Sequence, residues 1–203
     1  MSAYLAPDGR PRCGWAGAAP EFLAYHDHEW GFPVADDVRL FEKVSLEGFQ
    51  SGLSWRTILA KRDNFRAAFA GFDFHVVAGY GPDDVARLLG DAGIVRHRGK
   101  IEAVINNACR AVELQRQAGS LAAHFWGYEP PAGEVAVPQT LSASPSSAAL
   151  AKDLKGRGWR FVGPTTVFAL MQAMGLVNDH APDCAIRSEV ASARAGFTPP
   201  RTR

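Results

Sequence analysis

Apolar residues recur at helical spacing along most of the chain, and strand-like alternation is scarce. In "ADDVRLFEKVSLEGF" the positions Val38, Phe41, Val44 and Ser45 follow an N-cap at Asp36 or Asp37. "WRTILAKR" and "DNFRAAFAGF" read as short helices. "GPDDVARLLGDAG" has Pro82 at a helix start and Gly90 or Gly93 at its end. "HRGKIEAVINNACRAVELQRQAG" is the longest helix, closed by Gly119, and "SLAAHFWGY" follows it. Residues 129–145 are rich in Pro, Ser and Ala and predict a surface connection. "SSAALAKDLKGRG" and "PTTVFALMQAMG" are two further helices. The fold class predicted is all-α.

The boundaries follow from the same pattern. Residues 1–12 predict a loose extension, 13–185 a helical domain with a hairpin at about 152–175, and 186–203 a basic tail. With 203 residues, 47% of them hydrophobic, the chain can build a sizeable core unaided. The formal net charge is +1, from 22 basic and 21 acidic residues, so any nucleic-acid binding needs a local patch. No apolar run reaches the length of a membrane span and no signal peptide is visible. Three widely spaced cysteines, Cys13, Cys109 and Cys184, argue against a disulfide framework and for a reducing, cytoplasmic setting.

"AYHDHEWG", residues 24–31, crowds two histidines, two acids, a tyrosine and a tryptophan together. His26 pairs with Cys13 as C-x12-H, and His180 pairs with Cys184 as H-x3-C. Ligands four apart on a helix share a face, and two thiolates with two imidazoles suit a closed, structural Zn²⁺. The alternative is a buried cysteine and a surface histidine at each end. Neither H-x-E nor P-C-x-x-C occurs, which disfavours zinc deaminase chemistry, and "HEWGF" is not H-E-x-x-H.

"LAKDLKGRGWRFVGPTTVFALMQAMG" reads as helix, tight turn, helix. Gly163 suits a close phosphate approach, Pro164 suits a first helical position, and free N–H groups there bind anions. Lys152, Lys155, Arg157 and Arg160 lie nearby. An ordinary αα-hairpin with a basic rim fits equally well. "GIVRHRGKI" is a near miss for a nucleotide phosphate loop, with five residues between its glycines and no Ser or Thr after Lys100. In "LEGFQSGLSW", Glu47 ends an apolar helix shortly before Trp55. Aromatic walls from Tyr25 and Trp30 around a carboxylate suit an extrahelical base. A solvated helix residue is the plainer account of Glu47.

Taken together, "CGW", "YHDHEWG", "LEGFQSGLSW", "DAGIVRHRGKI" and "FVGPTT…MQAMGLVNDH…C" closely resemble the 3-methyladenine DNA glycosylase I family, in order from Cys13 to Cys184. The resemblance implies a helix-hairpin-helix DNA glycosylase-like fold whose N- and C-terminal segments are joined by one structural zinc on Cys13, His26, His180 and Cys184. It implies a base pocket of Glu47, Tyr25, Trp55, Trp30 and Trp15, with Glu47 as the catalytic residue. It implies a wedge of Gln50, Gly52 and Leu53, and a hairpin over 158–166 whose Arg160, Val162, Gly163, Thr165 and Thr166 meet the DNA backbone. Superfamily relatives carry a catalytic Asp in "V-D-x-H"; here "VNDH" has Asn178 in that place.

The implied substrate is double-stranded DNA containing N3-alkylated purines, acted on by a monomer in base-excision repair. N3-alkylation makes the base cationic, so it leaves neutral and needs little general acid, which accommodates Asn178. No lysine stands out as a nucleophile, so no lyase step is expected. The rivals are a non-catalytic, zinc-stapled hairpin module that binds damaged DNA, and a zinc hydrolase, which would need only three protein ligands. His28, Asp27 and Glu29 are expected to be solvated or locally hydrogen-bonded.

Overall fold

The computed structural model describes residues 3–202; residues 1, 2 and 203, parts of the expected extension and tail, lie outside them. The helices are α1 (Pro20–His28), α2 (Asp37–Gln50), α3 (Trp55–Ala60), α4 (Arg62–Ala68), α5 (Phe74–Val77), α6 (Pro82–Gly90), α7 (Arg98–Ala118), α8 (Leu121–Trp126), α9 (Pro145–Gly156), α10 (Pro164–Ala173) and α11 (Arg187–Ala195).

The centre is α2. Every residue from Leu40 to Phe49 is buried, so this helix has no solvent face and takes its neighbours α3, α7, α8 and α10 all round. Asp36 caps it, accepting from the Arg39 N–H at 2.8 Å. Asp37, the other candidate cap, instead accepts from the Ala122 N–H and the Gln115 amide, tying α2 to α7 and α8. An aromatic column of Phe49, Phe65, Phe69 and Phe72 fills the space beneath, with ring centroids 4.6 to 6.4 Å apart. α7 ends at Gly119, where φ is +88°. α9 begins at a reciprocal Ser144–Ser147 capping box.

Residues 3–12 differ from a loose extension. Tyr4–Leu5 (β1) pairs antiparallel with Pro11–Arg12 (β2) around Gly9 at φ +76°. Arg12 is only 4% exposed and donates to both oxygens of Asp27 and to Asp8. The Pro11 carbonyl accepts from the Ala185 N–H at 2.9 Å, joining the two ends of the chain. The buried guanidinium explains the order: it needs its carboxylates, and they fix the hairpin. The basic tail likewise contains α11, anchored by fully buried Val190. Its Arg187 donates to the His180 and Asn178 carbonyls and Arg194 to Glu129, so these charges are spent inside the molecule.

Candidate active site

A cavity of about 260 Å³ is lined by Trp15, Phe22, Tyr25, Trp30, Lys43, Glu47, Gln50, Trp55, Ala169 and Gln172. All four aromatic residues expected in the pocket meet here, each from its own element. Trp15 stands on the short 3-10 turn Gly14–Gly17, Tyr25 on α1, Trp30 just beyond it, and Trp55 at the first position of α3, which Ser54 caps. Trp15 meets Trp30 edge-on with centroids 5.1 Å apart, and Tyr25 lies 5.4 Å from Trp55. Glu47 enters from the last turns of α2 and is 6% exposed.

Four lining residues escaped the sequence reading: Phe22, Ala169, Gln172 and Lys43. The Lys43 ammonium lies 2.7 Å from Glu47 Oε1 and donates to the Tyr25 hydroxyl at 2.8 Å. Burial holds its pKa below the ordinary lysine value, opposed by the Glu47 charge. Burial and the same carboxylate push the Tyr25 phenol well up. The i, i+4 spacing of Lys43 and Glu47 was the available signal, since it puts both on one face of α2. Gln172 donates to Asp179, which is itself 1% exposed, so the residue after Asn178 braces the pocket's far wall.

A second groove of about 340 Å³ adjoins the first and shares Glu47 and Gln50 with it. It brings the wedge candidates Gln50, Gly52 and Leu53 opposite Thr165 and Thr166 at the start of α10. Leu53 is 42% exposed, at the tip of a tight turn that Gly52 makes at φ +78°. Lys100, read as part of a basic cluster, is buried and donates to the Phe49 and Ser51 carbonyls, pinning that turn. Of the backbone candidates, Arg160 and Thr165 are exposed, whereas Val162 packs its side chain into the core. Gly163 has an ordinary φ of −70°. The unusual backbone sits earlier, at Gly158 (φ +85°) and Phe161 (φ +55°). What Gly163 offers is room: a Cβ there would meet nothing within 4 Å.

Behind Trp30 lies the cysteine–histidine cluster. Ligand atoms of Cys13, His26 and Cys184 all lie within 4.8 Å of one another, and all three residues are buried. His180 stands outside that group but adjacent, its ring 4.9 Å from that of His26 and 4.6 Å from Trp30. Its Nε2 is buried with no hydrogen-bond partner among the described residues, which suits a lone pair kept for a metal ion. The contact between the two thiols draws Cys184 down and pushes Cys13 up, so one of the pair ionises first, and burial holds His180 down to about 4, which favours the neutral imidazole that a metal binds. Asp27 accepts from His26 Nδ1 at 2.7 Å and Asn178 Oδ1 lies 3.1 Å from His180 Nδ1. These are the outer contacts that orient ligating imidazoles. His180 to Cys184 is a turn rather than a helix; Pro182 turns the chain away from helical geometry at Ala181.

Comparison with known proteins resolves what family this pocket belongs to. The methyladenine glycosylase family model matches residues 15–188. The chain belongs to that family. It is 47% identical over 177 residues to DNA-3-methyladenine glycosylase 1 of Escherichia coli (strain K12), covering 85% of this chain and 95% of that protein. A crystal structure of 3-methyladenine DNA glycosylase I superposes with a TM-score of 0.78 at 44% identity, over 86% of this chain and 98% of that one. Another family structure, of a variant in complex with 3-methyladenine, gives 0.80 at 34% identity, over 86% and 96%. The pocket, the groove, His26, His180 and Cys184 fall within the matched span, and Cys13 lies two residues before it.

Proposed function

We propose that this protein is a DNA-3-methyladenine glycosylase of base-excision repair, which hydrolyses the N-glycosidic bond of 3-methyladenine in DNA and leaves an abasic site. The observation that carries this is a buried carboxylate among aromatic rings, at the junction of a base-sized cavity and an open groove, in a chain of this family.

The lesion base is flipped from the duplex into the aromatic cavity, with Leu53, Gln50 and Gly52 filling the space it leaves. Arg160, Thr165, Thr166 and the main chain at Val162 and Gly163 hold the phosphates at the α9–α10 hairpin. What supports that hairpin as the grip is the free helix start of α10 facing the same groove as the wedge. Trp15, Trp30, Tyr25 and Trp55 enclose the base, and Glu47 accepts from its exocyclic amine while its charge favours a cation. The C1′–N9 electron pair then leaves with the base, which becomes neutral; water adds to C1′ and loses a proton, with Glu47 the nearest residue suited to orient it. A neutral leaving group needs no acid, so Asn178 is free to serve His180 and the Arg187 carbonyl instead.

Cys13, His26, His180 and Cys184 would hold one zinc ion, which supplies a closed cross-link between the two ends of the chain. No lyase step is expected, because no lysine stands out as a nucleophile and Lys43 is ion-paired with Glu47 in the free protein; an adduct trapped with borohydride on abasic DNA would sink that. The decisive assay is chromatography of free bases released from randomly methylated duplex DNA. Release of 3-methyladenine with little 7-methylguanine is expected. No release from folded, zinc-loaded protein would leave a damage-binding module instead.

A further inference from the structure

The Lys43 ammonium satisfies three partners at once. It pairs with Glu47 Oε1 at 2.7 Å, donates to the Tyr25 hydroxyl at 2.8 Å and lies 3.4 Å from the centroid of the Trp55 ring. A carboxylate, a hydroxyl and an aromatic face are also the features this cavity offers to a purine. The 3.4 Å height over Trp55 is a stacking distance, so ammonium and flat ring compete for one space. Lys43 is 5% exposed on a helix that also buries apolar Phe41, Val44 and Leu46, and the adjacent buried charge, Glu42, has its own partner in Arg66. An apolar side chain would fill that position without the cost of desolvating a charge. A buried lysine here therefore calls for an account beyond packing.

We propose that Lys43 is a specificity-determining residue that occupies the base seat in the free protein and competes with neutral bases for Glu47 and Trp55. A cationic flipped base replaces one ion pair with another when it displaces Lys43. A neutral base breaks the pair and offers Glu47 no charge in return. Undamaged adenine is thereby kept out, and 3-methyladenine, neutral once the glycosidic bond has broken, is displaced by the returning ammonium. The ligand's identity rests on the glycosylase reading; the competition itself rests on the Lys43 contacts.

The test measures binding of free 3-methyladenine and free adenine to wild type, Lys43→Met and Lys43→Arg, by calorimetry. Methionine fills a similar volume without charge. Lys43→Met is expected to bind 3-methyladenine at least tenfold more tightly than wild type and to gain affinity for adenine, while Lys43→Arg gains neither. A scaffolding lysine, or one that contacts the base directly, predicts weaker binding in Lys43→Met; weaker or unchanged binding overturns the proposal. A second readout uses wild type alone. The Lys43 Cε protons should show an upfield ring-current shift in nuclear magnetic resonance spectra, lost on saturation with 3-methyladenine. Persistence of that shift in the saturated complex also overturns the proposal. Failure of base release from methylated DNA tests the glycosylase reading separately.

Discussion

Burying a carboxylate costs several kcal/mol unless it is paired, and Glu47 is 6% exposed with Lys43 as its ion partner. Glu47→Gln keeps the shape and removes the charge. Single-turnover release of 3-methyladenine should fall about 10- to 100-fold, the worth of a hydrogen bond to a charged group, while affinity for abasic duplex stays within twofold. Trp55→Ala should weaken binding of free 3-methyladenine by about 1–3 kcal/mol, read by calorimetry. Residues with distinctive chemistry were legible at this scale. Glu47, Tyr25, Trp30 and Trp55 stood out because their types suit a base, Trp15 came only through the family resemblance, and the fold brings all five to one cavity. Lys43 and Asp27 were not legible. A lysine in a helix ordinarily signifies solvent, and only the tertiary packing of α2 shows that this one has none.

Among the elements, the turn after α2 and the start of α10 face each other across one groove, so each can be tested without disturbing the other. Gly163→Glu should fold normally, since φ is −70° and the added Cβ meets open space. It should weaken duplex binding at low salt and flatten the salt dependence, while binding of free 3-methyladenine is unchanged; filter binding across a salt series checks both. Gly175→Ala makes the opposite case. The site has φ +82°, and a Cβ would lie 2.5 Å from the Pro33 backbone. A loss of about 3 kcal/mol or more is expected in urea denaturation. Helices such as α2, α6 and α7 were legible from their caps, because Asp36, Pro82 and Gly119 act locally. The turn at His180–Cys184 and the β1–β2 hairpin were not. Their shapes are set by partners far along the chain, Cys13 and Pro11 for the one and Asp27 and Ala185 for the other.

At the scale of the molecule, the two ends meet at the Pro11 carbonyl, the neighbouring Cys13 and Cys184 sulfurs and the Arg10–Glu189 pair. The exposed ion pair adds little; the sulfurs and imidazoles are buried and matter more. Cys184→Ser should purify with less than one zinc per chain and melt at a lower temperature than wild type. Chelator treatment of wild type should shift its melting the same way, and zinc should reverse it in wild type alone. Among the described residues no helix is long and apolar enough to cross a membrane.

The contact of His180 with Trp30, 4.6 Å between ring centroids, has a consequence for how the protein is made. During synthesis the wedge turn and the α9–α10 hairpin emerge before the segment that backs the aromatic wall. A ribosome-bound chain stopped short of His180 would already hold both sides of the groove, yet Trp30 would lack the ring that backs it. Translation thus completes the groove before the cavity wall, and the aromatic pocket gains its backing only when the chain is nearly finished.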